Sequence, residues 1–151
     1  MIHYLIFDFS GVLATIGIPE KLVSGARDLL KPLALHYQLF MASAISTDVL
    51  RMSAERYKIA SYFTEILGGP ENKIRVVADL LERYALPPAE GVLIGDGIID
   101  LEAAQRNGLK FLAVANDAYT KGWFMARGAV TCLHSVKELP QALERLAYEN
   151  P

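Results

Sequence analysis

The feature that most narrows the folds open to this chain is an alternation of two patterns running almost unbroken from end to end. Short apolar runs of strand type are each followed by a segment whose apolar residues recur at helical spacing. Tyr4 to Phe7 carries β-favouring residues on both faces and stops at Asp8, ahead of Ser10-Gly11, as a buried strand entering a loop does. From Pro19 to Leu33, apolar positions Leu22, Val23, Ala26, Leu29, Leu30 and Leu33 predict an amphipathic helix, with Pro19 suited to its first turn. Tyr37 to Ala42 then reads as a strand and Thr47 to Ile59 as a helix capped by Ser46 or Thr47.

The second half repeats the scheme. Glu65 to Leu67 predicts a short strand ending at Gly68-Gly69, and Glu71 to Tyr84 a helix closed before Pro87-Pro88. Val92 to Ile94 predicts a buried strand entering Gly95-Asp96, and Leu101 to Arg106 a helix that Asn107-Gly108 can end through a left-handed residue. Lys110 to Val114, Ala129 to Leu133 at an edge, and the helices Tyr119 to Arg127 and Val136 to Tyr148 complete the set. Such alternation belongs to an α/β protein, a doubly wound parallel sheet covered on both faces. The 151 residues suit one domain, 1–151, with no repeat, low-complexity stretch or linker.

Charge and composition exclude several classes of function. Fifteen Lys and Arg against 17 Asp and Glu leave a formal charge of -2, without the basic surplus of a nucleic-acid partner. The only cysteine, Cys132, allows neither an intrachain disulfide nor a cysteine zinc cluster, so a reducing, cytoplasmic setting is expected. No apolar stretch approaches the roughly 20 residues of a bilayer span, and the first residues lack a signal-peptide pattern. Hydrophobic residues reach 52%, enough to expect a covered subunit interface and a homo-oligomer.

In an open parallel sheet, ligands gather outside the carboxyl ends of the strands. The residues there are Asp8 and Ser10, Ser43, Gly68 and Gly69, and Asp96 with Asp100. Three converging carboxylates repel one another unless cations intervene, and Mg²⁺ is suited to one or two carboxylates, a carbonyl and water. Taken singly, each has an ordinary structural explanation: an Asp after a strand is often a helix cap, Ser43 a turn hydroxyl, and Lys73 a solvated charge. His3, His36 and His134 are scattered and read as structural or surface residues, none of them at a strand tip with a carboxylate partner in sequence. "GPENK" lacks the spacing of a phosphate-binding glycine loop.

Taken in order, "YLIFDFSGVL", "YQLFMAS", Lys73 preceded by "SYFTEILGG", and "VLIGDGIIDLEAAQRNG" resemble the four signatures of the haloacid dehalogenase superfamily. The resemblance covers nearly the whole chain. It implies a Rossmann-like three-layer domain and Mg²⁺-dependent hydrolysis of a phosphorylated small molecule or macromolecule. Asp8 would then be the nucleophile that forms an aspartyl-phosphate. Ser43 and the backbone at Ala44 would bind the phosphate, with Lys73 neutralising its charge. The ion would be held by Asp8, the carbonyl of Ser10, Asp96 and Asp100.

Two departures qualify what the resemblance implies. Phosphatases of the superfamily usually carry a second Asp where this chain has Ser10, and a serine hydroxyl is a poor acid or base near neutral pH. The segments between the signatures are also filled by ordinary strands and helices, so no cap domain is expected. An open site predicts a macromolecular substrate or a lid from a neighbouring subunit, with Ala14 to Ile18 and Tyr119 to Phe124 as contributing segments. Trp123 and Phe124 read first as helix-to-sheet packing. A slow or atypical phosphatase and a binding or regulatory protein that has lost turnover are both compatible with Ser10. A dehalogenase-like, carbon-centred hydrolase fits the acidic pair less well.

Overall fold

The computed structural model describes residues 1–69 and 71–149. Six strands form one parallel sheet: β1 (Tyr4–Phe7), β2 (Gln38–Ser46), β3 (Glu65–Gly69), β4 (Gly91–Gly95), β5 (Lys110–Val114) and β6 (Thr131–Leu133). Between and after them lie α1 (Ala26–His36), α2 (Thr47–Arg56), α3 (Lys73–Arg83), α4 (Ile98–Arg106), α5 (Ala118–Ala126) and α6 (Leu139–Glu149). The strand order is β3-β2-β1-β4-β5-β6, so the chain winds outward from β1 in one direction and then from β4 in the other. The reversal falls between β1 and β4, where a crevice forms at the strand tips.

Alternate residues of each strand feed two cores, as a sheet buried on both faces requires. Leu5, Phe7, Leu39, Met41, Val92 and Ile94 pack on one face with α1 and α6. Tyr4, Ile6, Phe40, Leu93 and Phe111 pack on the other with α3, α4 and Phe124 of α5. Trp123 lies edge-on to Phe124 at 5.3 Å, so this aromatic pair is packing, in line with its ordinary reading. No cap domain interrupts the described residues, and none of their helices is long and apolar enough to cross a membrane.

The stretch from Pro19 corrects one expectation. Helix α1 begins only at Ala26, and residues 8–25 form a folded-back loop. The Leu13 carbonyl accepts from the Val23 N–H at 2.7 Å, the Lys21 carbonyl from the Thr15 N–H at 2.7 Å, and Ala14 bridges Leu22. Leu22 and Val23 reach the core from this hairpin-like loop, which meets the same apolar periodicity without a helix. Elsewhere the differences are at element ends. Helix α4 starts at Ile98, three residues earlier than its apolar pattern, and α3 starts at Lys73 because the Asn72 side chain accepts from the Arg75 N–H at 3.0 Å.

Candidate functional site

The first strand delivers Asp8 to the crevice beside the tip of β4. The Asp8 N–H donates to the Ile94 carbonyl at 2.9 Å, and its Oδ1 accepts from the Phe9 N–H at 2.8 Å. Gly11, at φ +82°, then turns the chain so closely past Asp96 that a Cβ there would overlap the Asp96 Oδ2. The Gly11 N–H and the Phe9 carbonyl tie this turn to Ala14, an arrangement that makes no use of the Ser10 carbonyl.

On β4 the chain passes from Gly95 to Asp96 and into α4. Asp100, in the first turn of α4, reaches back so that its Oδ2 accepts from the N–H groups of Asp96 and Gly97 at 3.2 and 3.1 Å. Its Oδ1 pairs with the Lys73 ammonium, which also lies 2.9 Å from the Asp8 Oδ1. Lys73 is 4% exposed and is the first residue of α3, an unfavourable place for a cation because the helix dipole is positive there. Asp8 and Asp100 supply the compensating negative charge. Asn107 strengthens the arrangement: its side-chain amide donates to the Ile74 carbonyl at 3.1 Å and the Ala103 carbonyl at 2.8 Å, joining the start of α3 to the end of α4. The sequence pattern marks Asn107 only as a helix terminator.

Asp8, Asp96 and Asp100 each offer an oxygen within 4.8 Å of the others. One ammonium faces these three acids, so the fully ionised cluster would keep two negative charges. The titration behaviour reflects that excess. Burial first, with the Asp100 charge adding to it, pushes the Asp8 carboxyl up to about 7 even though Lys73 pulls the other way. Burial and the same Asp100 charge raise Asp96 above the usual carboxylate range. Oxygen donors alone, with surplus negative charge, fit a hard divalent cation such as Mg²⁺. Asp8, Asp96 and Asp100 are the groups whose oxygens are placed to hold it, and Asp100 also orients Lys73 and the turn at Asp96.

On the other side of Asp8, β2 ends in an irregular stretch between Ala42 and Ser46. Ser43 is 3% exposed, and its Oγ accepts from the Ile45 N–H at 3.2 Å, so its own proton is available to an anion. Ala44 is exposed beside it. This turn rests on Gly68, whose N–H donates to the Thr47 Oγ1 at 2.9 Å. A Cβ at Gly68 would overlap the Ile45 carbonyl, so only glycine lets the two strand tips approach this closely.

The crevice continues along the tips of β5 and β6 as an open groove of about 430 Å³. Gly11 and Asp96 line its inner end, Asn116 and Asp117 its middle, and His134 its far end. His134 directly follows β6 and is exposed, at the tip of the expected edge strand. The edge strand begins later than the apolar pattern from Ala129 suggests, with pairing confined to 131–133. Of the lid segments, Ala14 is buried, whereas Ile16, which lines the groove, and Ile18 stand in solvent.

The fold and site together define a class: a Rossmann-like α/β protein with an acidic, lysine-paired cluster at the topological switch point. A sequence profile of haloacid dehalogenase-like hydrolases matches residues 20–114, and the chain belongs to that family. No curated protein matches the chain in sequence. Among solved structures, a haloacid dehalogenase-like family hydrolase from Streptococcus pneumoniae superposes with a TM-score of 0.81 at 18% identity, covering 99% of each chain. A superfamily hydrolase from Geobacter sulfurreducens gives 0.76 at 15% identity, over 94% of this chain and 100% of the other. A protein described as a "predicted phosphatase" from Clostridium acetobutylicum gives 0.75 at 24% identity, over 83% of this chain and 61% of its own.

Proposed function

We propose that this family member is a Mg²⁺-dependent phosphatase of unusual acid–base chemistry, with Asp8 as its nucleophile. The observation that carries the reading is the contact of the buried Lys73 ammonium with Asp8, inside a cluster of oxygen donors. Asp8 attacks the phosphorus of a phosphomonoester, the ester oxygen departs, and water then hydrolyses the aspartyl-phosphate to release inorganic phosphate. Mg²⁺, when bound, screens the negative charge that Asp8 and the substrate bring together. Lys73 and the Ser43 hydroxyl face the equatorial oxygens, where charge accumulates in the transition state. Asp100 holds Lys73 in place through a charge-assisted contact.

Ser10 sets the limit on rate. Without a carboxyl there, the leaving oxygen departs unprotonated and the attacking water has no strong base. General acid–base help is typically worth roughly 10²- to 10⁴-fold. The single thiol of the chain supports a reducing, cytoplasmic setting. Exposed Ile16, which lines the groove, and the exposed Ile18, Ile98 and Ile99 support a second subunit as cover.

The test is hydrolysis of p-nitrophenyl phosphate with and without Mg²⁺. Turnover that requires the ion and disappears in Asp8→Asn is expected, and turnover that survives Asp8→Asn overturns the reading. A second reading, a binding or regulatory protein that retains the pocket, is favoured by Ser10. It predicts Mg²⁺-dependent phosphate binding without turnover of any ester.

A further inference from the structure

We infer that the groove along the tips of β5 and β6 binds the non-phosphate part of the substrate, and that this part is a neutral, hydroxyl-bearing group of sugar or polyol size. The inference rests on the phosphatase reading and adds a substrate class to it. Ser43 lies at the end of β2, on one side of Asp8, and Lys73 bridges Asp8 to Asp100, whereas the groove opens along the β5 and β6 side and shares Gly11 and Asp96 with the site. A phosphomonoester seated at Asp8 can therefore extend over Asp96 into it.

The chemistry of the walls selects the occupant. Asn116 and His134 are exposed side chains, each able to donate and accept hydrogen bonds, while Val23 and Val114, with Ile16, supply apolar surface. Hydroxyls opposite the first pair and a C–H face on the valines would use both surfaces. Asp96 and Asp117 line the groove, and no Lys or Arg among the described residues does. Asp117 stays ionised because the Thr120 backbone N–H holds its carboxyl below the usual range, so a second phosphate or carboxylate on the substrate would be repelled. The lining also lacks, among the described residues, an aromatic ring or guanidinium on which a nucleobase could stack, apart from the His134 imidazole at its far end. The 430 Å³ volume is of a size that admits a small molecule.

His134 serves here as a binding and specificity residue, not as a replacement for the acid missing at Ser10. Three inter-strand spacings separate β6 from β1, roughly 14 Å, whereas proton transfer needs about 3 Å or one bridging water.

The experiment measures calorimetric binding of a hexose monophosphate, and of the corresponding bisphosphate, to the Mg²⁺-supplemented protein. Asn116→Ala and His134→Ala are compared with the parent, beside turnover of p-nitrophenyl phosphate. The expected result is a loss of about 10-fold in monophosphate affinity in each variant, with affinity for inorganic phosphate, which does not extend into the groove, within about 2-fold of the parent, while the parent turns over p-nitrophenyl phosphate. The bisphosphate should bind at least about 10-fold more weakly than the monophosphate. Intact aryl turnover with unchanged monophosphate affinity in both variants, or tighter bisphosphate binding, overturns the groove assignment and leaves the phosphatase reading standing. Absent aryl turnover with monophosphate affinity that still falls in both variants overturns the phosphatase reading and supports the groove. No binding of either sugar phosphate by the parent overturns the groove assignment.

Discussion

Gly11 and Asp96 meet without room for a single methyl group between them: a Cβ on Gly11 would overlap the Asp96 Oδ2. The loop that follows the proposed nucleophile is thereby pressed against the carboxylate at the tip of β4. Gly11→Ala forces one of the two to move and places a side chain at φ +82°, a conformation that costs roughly 1–2 kcal/mol. The variant should be destabilised by at least that amount in denaturant unfolding, and its Mg²⁺ affinity should fall. Unchanged stability and affinity would show that the loop is not constrained by Asp96.

Lys73→Met retains the length of the side chain and removes its charge. Asp8 and Asp100 then share a buried site without their ammonium. Breaking a buried pair by removing one partner typically costs about 3–5 kcal/mol. The metal-free variant should unfold at correspondingly lower denaturant. Acidification should recover part of the loss, because protonated carboxyls no longer need the cation.

The pH dependence of the metal-free protein follows from Asp8. Its folded-state value is pushed up from 3.8 to about 7, chiefly by burial, so the native state binds that proton more tightly than the unfolded chain. The resulting stabilisation is complete below the unfolded value and is lost as pH rises through about 7. In chelator, the Asp8 contribution to stability should therefore decline between about pH 4 and 7, and Asp8→Asn should flatten that part of the profile. Mg²⁺ affinity should rise over the same interval, since the ion competes with the proton for the carboxylate. An affinity independent of pH in this range would remove Asp8 from the metal site.

Ser10 makes a prediction about leaving groups. With no acid to protonate the ester oxygen, an aryl phosphate, whose oxygen leaves as a weak base, should outpace an alkyl phosphate by a wide margin. Ser10→Asp should raise alkyl phosphate turnover by roughly 10²-fold or more and aryl turnover by less. Equal stimulation of both, or none, would mean that protonation of the leaving group does not limit the rate.

Much of this was legible from the chain alone, for a local reason. A buried parallel strand is marked by an apolar run, and the residue after it sits at the sheet edge, so Asp8 and Asp96 could be placed there before any coordinates, while Ser43 falls inside β2, which runs on to Ser46. The stretch from Pro19 to Gly25 was not legible, because apolar residues three and four apart serve a helix and a folded-back loop equally well, and long-range bonds such as Val23 to Leu13 decide between them. That His134 shares a groove with Asp96 was not legible, because the two come together only when strand order sets β6 beside β5 and β4.

The sequence by itself determined the α/β class, the family signatures and the identity of the charged residues, since strand and helix periodicity and residue chemistry are local properties. Only the tertiary structure decided that Lys73 touches both Asp8 and Asp100, that Gly11 abuts Asp96, and that Asn116 and His134 flank a shared groove. Those relationships join residues far apart in the chain. They depend on strand order and on how helices pack across the sheet, which no local pattern encodes.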